Sequence, residues 1–145
     1  MKGSQKITRI QLSIDDQDKP VIFGLVTTDP DYKLSLKLNR KLILSLRNTD
    51  PVEIHDDDRN GLIFSKFADG SRNTDVSFYL VSNRSEKNFL LKKLKNIDYL
   101  LIIYDASASL KMEQIMLQIR EIDSVTGVFN IDLKTLKDKN LKFLI

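Results

Sequence analysis

The chain has 145 residues, 41% apolar and 30% charged, enough apolar material for one ordinary core and too much for a disordered chain. Its 23 basic and 20 acidic residues leave a net charge of +3, a small excess that attracts anions weakly and falls short of a dedicated nucleic-acid binder. The absence of cysteine excludes disulfides, thiolate catalysis and cysteine-bound zinc, and no apolar run reaches signal-peptide or membrane-spanning length, so the expectation is a soluble cytoplasmic protein with no membrane contact.

In ITRIQLSI, Ile10, Leu12 and Ile14 alternate with Gln11 and Ser13, which predicts a half-buried strand. DDQDKP breaks it, and VIFGLVTT predicts a second strand in which Gly24 marks a close approach or a bulge. YKLSLKLNRKLILSLRN satisfies two periods at once: its leucines alternate like a strand, yet Leu34, Leu38 and Leu42 are also spaced for one helix face. The preceding TDPD decides for a helix from about 30 to 41. Asp29 suits the N-cap, Pro30 the first helical position and Asp31 the positive end of the dipole. A short strand over LILSLR should follow.

NTDPVEIHDDDRNG predicts a polar connection ending in the turn signal Asn60–Gly61. LIFSKFA and VSFYLVSN predict two strands joined through DGSRNTD as an antiparallel hairpin. The basic segment 91–96 leads into the apolar strand IDYLLIIY, and DASAS offers capping serines. Met112, Ile115, Met116, Ile119 and Ile122 then mark one helical face. GVFNID returns as a strand, and LKTLKDKNLKFLI closes the chain with a helical turn and a last short strand. The sum is one α+β domain over 1–145: a mainly antiparallel or mixed sheet with two helices packed on it, a ferredoxin-like βαββαβ core being one such arrangement.

LLKKLKNIDY resembles the segment that names the IPExxxVDY family, small bacterial proteins with no assigned activity. DYKLSLKLNRKL is similar to that family's early block through Tyr32, Leu34, Leu38 and Asn39, and FYLVSN to the block before the naming segment through Leu80, Ser82 and Asn83. GVFNIDLKTLKDKNLKF is similar to its closing block through Gly127, Val128, Leu136, Lys137, Leu141 and Phe143. Within the naming segment Leu91 stands for isoleucine, Lys92 and Lys93 replace proline and glutamate, and Ile97 stands for valine; Asp98 and Tyr99 are kept. The resemblance spans most of the chain in matching order and implies a family without a mechanism.

Asp98 and Tyr99 are the first candidate ligand-binding residues. On a strand, Ile97, Tyr99, Leu101 and Ile103 would share one face and Asp98, Leu100, Ile102 and Tyr104 the other. A carboxylate against buried surface has its pKa raised unless hydrogen bonds or a cation compensate, which is the physics of a general acid or base. The alternative is that Asp98 accepts backbone N–H bonds at the strand's start while Tyr99 packs. His55 with Asp56, Asp57 and Asp58 is the one His-carboxylate cluster, but consecutive residues point in alternating directions, so a solvated loop is expected and no metal or cofactor.

Lysines fall into two groups: Lys87, Lys92, Lys93 and Lys95 before the apolar strand, and Lys134, Lys137, Lys139 and Lys142 at the end. Brought together they would hold phosphate or nucleic acid; held apart they are a solvated face blunted by Glu86, Asp132 and Asp138. No GxGxxG, P-loop, GxSxG, HExxH or RNA-binding aromatic signature is present. Three functions are therefore expected in turn. The leading one is a non-catalytic interaction domain with an unknown protein partner or as a homodimer paired through an edge such as LKFLI. Second is nucleic-acid or phosphate binding through Lys92, Lys93 and Lys137, and third an enzyme built on Asp98 and Tyr99.

Overall fold

The computed structural model describes residues 19–56, 59–70 and 75–144. The strand expected over 7–14 lies outside the described residues. Strand β1 (Val21–Thr27) leads into helix α1 (Asp31–Leu42), followed by β2 (Leu46–Asp56), β3 (Arg59–Asp69) and β4 (Val76–Ser82). A two-strand ribbon, β5 (Arg84–Ser85) and β6 (Asn88–Phe89), precedes β7 (Tyr99–Asp105). Helix α2 (Met112–Arg120), strand β8 (Val125–Asn130) and a 3-10 turn over Lys139–Phe143 complete the chain. The fold is α+β: six strands in the order β2-β3-β4-β7-β1-β8, with every pairing antiparallel.

The near-continuous apolar run of β7 follows from its central place. Tyr99, Leu101 and Ile103 face α1 and α2, meeting Leu34, Leu38, Ile115 and Ile119. Leu100 and Ile102 face the opposite layer, where Leu90, Leu91 and Ile97 from the 83–98 loop and Leu144 from the C-terminal segment cover them. Ile97 thus lies with Leu100 and Ile102 rather than with Tyr99, because the chain turns through hydrogen-bonded corners at 91–97 before the strand begins.

Helix α1 wins over the strand reading because Leu34 and Leu38 are buried whereas Leu36, which a period of two would bury beside them, is exposed. Its start is one residue later than expected. Pro30 occupies the N-cap position with extended backbone, its carbonyl accepting from Lys33 and Leu34. Asp29 lies before the cap, its carboxylate drawn instead to Lys37 Nζ at 2.8 Å. Ile43 ends the helix with φ +55°, a left-handed conformation that a β-branched residue adopts only at a cost. Asn39 then bridges to β2, its Oδ1 accepting from Leu46 N–H and its Nδ2 donating to Leu46 C=O.

The polar connection expected over NTDPVEIHDDDRNG is instead most of a long hairpin. Val52 and Ile54 in β2 pair opposite Phe64 and Leu62 in β3. Between Thr49 and Val52 the register slips by one residue, so the side-chain alternation inverts: Leu46 packs with the helices, whereas Val52 and Ile54 join the opposite layer. Pro51 falls in this bulge on the outer strand of the sheet, where a missing N–H is tolerated. Asn60–Gly61 is likewise not a free-standing turn: Gly61, at φ +49°, lies inside β3 where the register slips again. The hairpin of β3 and β4 forms as expected, while its turn over 71–74 lies outside the described residues.

Gly24 is a close approach. A Cβ there would stand 2.9 Å from Ile97 Cδ1 and 3.1 Å from Ile131 Cδ1. The DASAS serines do not cap α2, whose N-cap Lys111 makes no side-chain bond. They gather on Asp105, which accepts from Ser107, Ser109 and Leu110 N–H and is held below the usual carboxylate range, the Leu110 bond being the largest cause. Over its described residues LKFLI is a 3-10 turn rather than the expected last strand. Asn140 pins it, donating from Nδ2 to Leu90 C=O at 2.7 Å. Among the described residues no helix is long and apolar enough to cross a membrane.

Candidate functional site

The ends of β1 and β7 and the 83–98 loop meet at Asp98. Its backbone N–H donates to Leu25 C=O and its carbonyl accepts from Asn83 N–H, continuing the sheet one residue past β7. Of the carboxylate, Oδ2 accepts from Thr27 N–H at 3.0 Å and Oδ1 lies 2.6 Å from Arg84 Nε. The carboxylate is 16% exposed, so the two compensations that make burial tolerable, a hydrogen bond and a cation, are both present. Arg84 is also fixed from two other directions: Nη2 donates to Lys95 C=O and the guanidinium lies 5.1 Å from the Phe89 ring.

Tyr99 points to the other face, ring buried among the helices, and its hydroxyl donates to Asp29 C=O at 2.7 Å. Its pKa is pushed up to about 12, first by burial and then by the negative charges of Asp31, Asp98 and Asp29. Asp29 itself is held below the usual carboxylate range, chiefly by its hydrogen bonds from Lys37 and Ser124. Together with Thr27, Thr28, Pro30, Ser82 and Arg84 these groups line an open concavity of about 560 Å³. Chemically it is quiet. A phenol of such high pKa is a poor base and a weak acid near neutrality, and the carboxylate is engaged on both oxygens.

The 83–98 loop, which carries both Asp98 and the first lysine group, is built around one residue that sequence pattern did not single out as a site. Asn83 is 0% exposed. Its Nδ2 donates to Leu94 C=O and to Ile97 C=O, each at 2.9 Å, and its Oδ1 accepts from Leu91 N–H at 2.8 Å. Its own N–H and C=O close the loop to Asp98 and Leu90. The loop thereby delivers Lys92 to the far side of the sheet from the helices.

There the two lysine groups partly converge. Lys92 meets Lys139 and Lys142 around a concavity of about 140 Å³, with His55, Phe89 and Phe143 on its walls. The Asn140–Leu90 bond holds the C-terminal turn, and so Lys139 and Lys142, against the loop that carries Lys92. Lys93 and Lys137 are exposed and line neither this concavity nor the one at Asp98. His55 Nε2 lies 4.0 Å from Glu53 Oε2. Asp57 and Asp58 are outside the described residues, and among the described residues no three His, Cys, Asp or Glu side chains come together as a metal site.

A second concavity, about 410 Å³, opens on the same face beyond Phe143. Lys66, Ser77, Tyr79, Tyr104, Phe143 and Leu144 line it. The register sets Ser77 opposite Tyr104 and Tyr79 opposite Ile102, so the two tyrosines are diagonal neighbours with ring centroids 6.2 Å apart, edge to face. Lys66 Nζ lies 4.8 Å above the Tyr79 ring and Lys142 Nζ 5.3 Å from the Phe143 ring. Lys66 and Tyr79 are not singled out as site residues by the sequence; for Tyr104 the signal is its period-two place on the face of Leu100 and Ile102.

No family model matches the chain, nor does any curated protein or solved structure.

Proposed function

We propose that this chain is a small non-catalytic α+β domain that binds an anionic, phosphate-bearing ligand at the Lys92–Lys139–Lys142 concavity. The observation that carries it is the convergence of lysines far apart in sequence around one recess, each exposed, with the C-terminal turn fixed there by Asn140. Phosphate contacts of this kind act through charge and release counterions. An enzyme at Asp98 and Tyr99 is the weaker reading, since Asp98 would first have to leave Arg84 and Thr27 N–H.

Kinship with the IPExxxVDY proteins belongs to the same proposal. It is supported by residues that here hold the fold: Leu34 and Leu38 in the core, Asn39 on β2, Asn83 inside the loop, and Asp98–Tyr99 at the β1–β7 corner. Such a likeness bears on shape more than on chemistry. A ferredoxin-like core with the β2–β3 hairpin added at its edge is the corresponding fold proposal, supported by the order β4-β7-β1-β8 and by both helices lying on one face.

A labelled abasic deoxyribose-phosphate octamer, which offers phosphates without bases, tests the binding reading by fluorescence anisotropy. Three lysine contacts give a salt slope of about −2, hence affinity about 20-fold weaker at about 200 mM than at about 50 mM salt. Lys139→Glu and Lys92→Glu should each weaken binding further. Absence of binding at low salt, or binding indifferent to both salt and charge reversal, would overturn it.

A further inference from the structure

The lysine concavity and the tyrosine concavity share Phe143, so they adjoin across that ring as one tract on the sheet face opposite the helices. Resting on the phosphate-binding reading above, we infer that this tract takes single-stranded nucleic acid: bases on Tyr79, Tyr104 and Phe143, backbone phosphates on Lys66, Lys92, Lys139 and Lys142.

The reasoning is one of paired chemistry. A phosphate alone needs only cations, and the Lys92 recess supplies them. Aromatic rings in a partly open recess next to those cations call for a ligand with flat apolar parts at intervals between its charges, as a nucleic-acid strand has. Tyr79 and Tyr104 are only partly covered, and Phe143 is 38% exposed although it sits between two buried anchors, Asn140 and Leu144. The position of the lysines fits the exchange. Lys66 and Lys142 lie over the rings of Tyr79 and Phe143, an arrangement weak at exposed sites. A stacking base gains more from the ring than the ammonium does, and the displaced ammonium finds the neighbouring phosphate. A duplex, whose bases are already stacked, offers no such faces.

The Tyr104 hydroxyl donates to Leu144 C=O at 3.3 Å, so the platform and the lysine-bearing turn are tied together. Among the described side chains, Glu53 lies beside His55 and Asp138 accepts from Asn140 N–H. Neither is among the residues that line the two recesses.

The test compares a labelled oligothymidylate octamer with its abasic counterpart on the full chain. The expected result is that bases tighten binding by about 5-fold or more, the lower limit for one stacked base. Tyr79→Leu, outside the lysine recess, should reduce this preference while leaving abasic binding intact, with its folding checked by thermal melting. Equal affinity for the two octamers in the native protein overturns the platform and leaves the phosphate site standing. No binding of either octamer overturns both. The comparison between octamers needs no variant, so a poorly folded substitution does not blunt it.

Discussion

Replacing Asn83 by alanine should be among the most damaging single substitutions in the chain. The side chain satisfies three backbone groups: Leu91 N–H and Ile97 C=O in buried bonds, and Leu94 C=O, which also accepts from Ile97 N–H, in a partly buried one. Alanine leaves all three without that partner, in a position that water does not reach. An unsatisfied buried group costs about 1–3 kcal/mol, the N–H more than a carbonyl that keeps a second lone pair, so the sum is about 3–5 kcal/mol. At this chain length that corresponds to a melting temperature lower by about 6–20 °C. Asn83→Asp sharpens the test. It keeps an acceptor for Leu91 N–H but sets a buried carboxylate against two carbonyl oxygens, so its deficit at neutral pH should be at least as large. That deficit should shrink as pH falls and the new side chain takes up a proton with which to donate. Urea unfolding followed by circular dichroism gives both numbers, provided the slope is unchanged. A loss under about 1 kcal/mol for the alanine variant would refute the reasoning, because it would mean the loop does not depend on this side chain.

Other consequences are more local. Ile43, 90% exposed at φ +55°, contributes strain without packing, so Ile43→Gly should stabilise by about 0.5–1 kcal/mol in the same unfolding assay, whereas Ile43→Ala should not. Gly24→Ala should cost about 1–3 kcal/mol by overpacking, and Ile97→Val, which removes the Cδ1 that the new methyl meets, should recover part of it. Tyr99 has a folded pKa of about 12, above that of an unfolded tyrosine. Its contribution is therefore fully present below about pH 10 and lost as pH rises from there towards 12, while Tyr99→Phe should flatten that part of the stability–pH curve. Asp29 and Asp105 lie on the acid side with lowered pKa, so their contributions should disappear as pH falls through and below the ordinary carboxylate range, less so in Asp105→Asn.

Much of this fold was legible where one element satisfies one period. The apolar runs of β1, β4 and β7 and the Met112–Ile122 face read directly, and the α+β class followed from them. The β2–β3 hairpin was not legible because two bulges break its alternation, and its outward residues are as polar as a loop. LKFLI reads as a strand by composition, yet its burial is set by Asn140 and by contact with the 83–98 loop, neither of which is visible in a window of five residues. The site divides in the same way. Asp98 and Tyr99 stood out in sequence as the one kept pair of a resemblance, and their bonds to Thr27, Arg84 and Asp29 are long-range. Lys92 was singled out and Lys139 and Lys142 belonged to the second group, but only the fold decides that these three meet while Lys93 and Lys137 do not line the recess. Tyr79 and Tyr104 become neighbours only through the β4–β7 register.

The most direct test of the binding account is amide chemical-shift mapping of the full chain on addition of oligothymidylate at low salt. The account predicts perturbations grouped at Lys92, at Lys139–Leu144 and along Tyr79 and Tyr104, fading as salt is raised. Shifts centred instead on Thr27–Pro30, Arg84 and Asp98, or none at all, would contradict it.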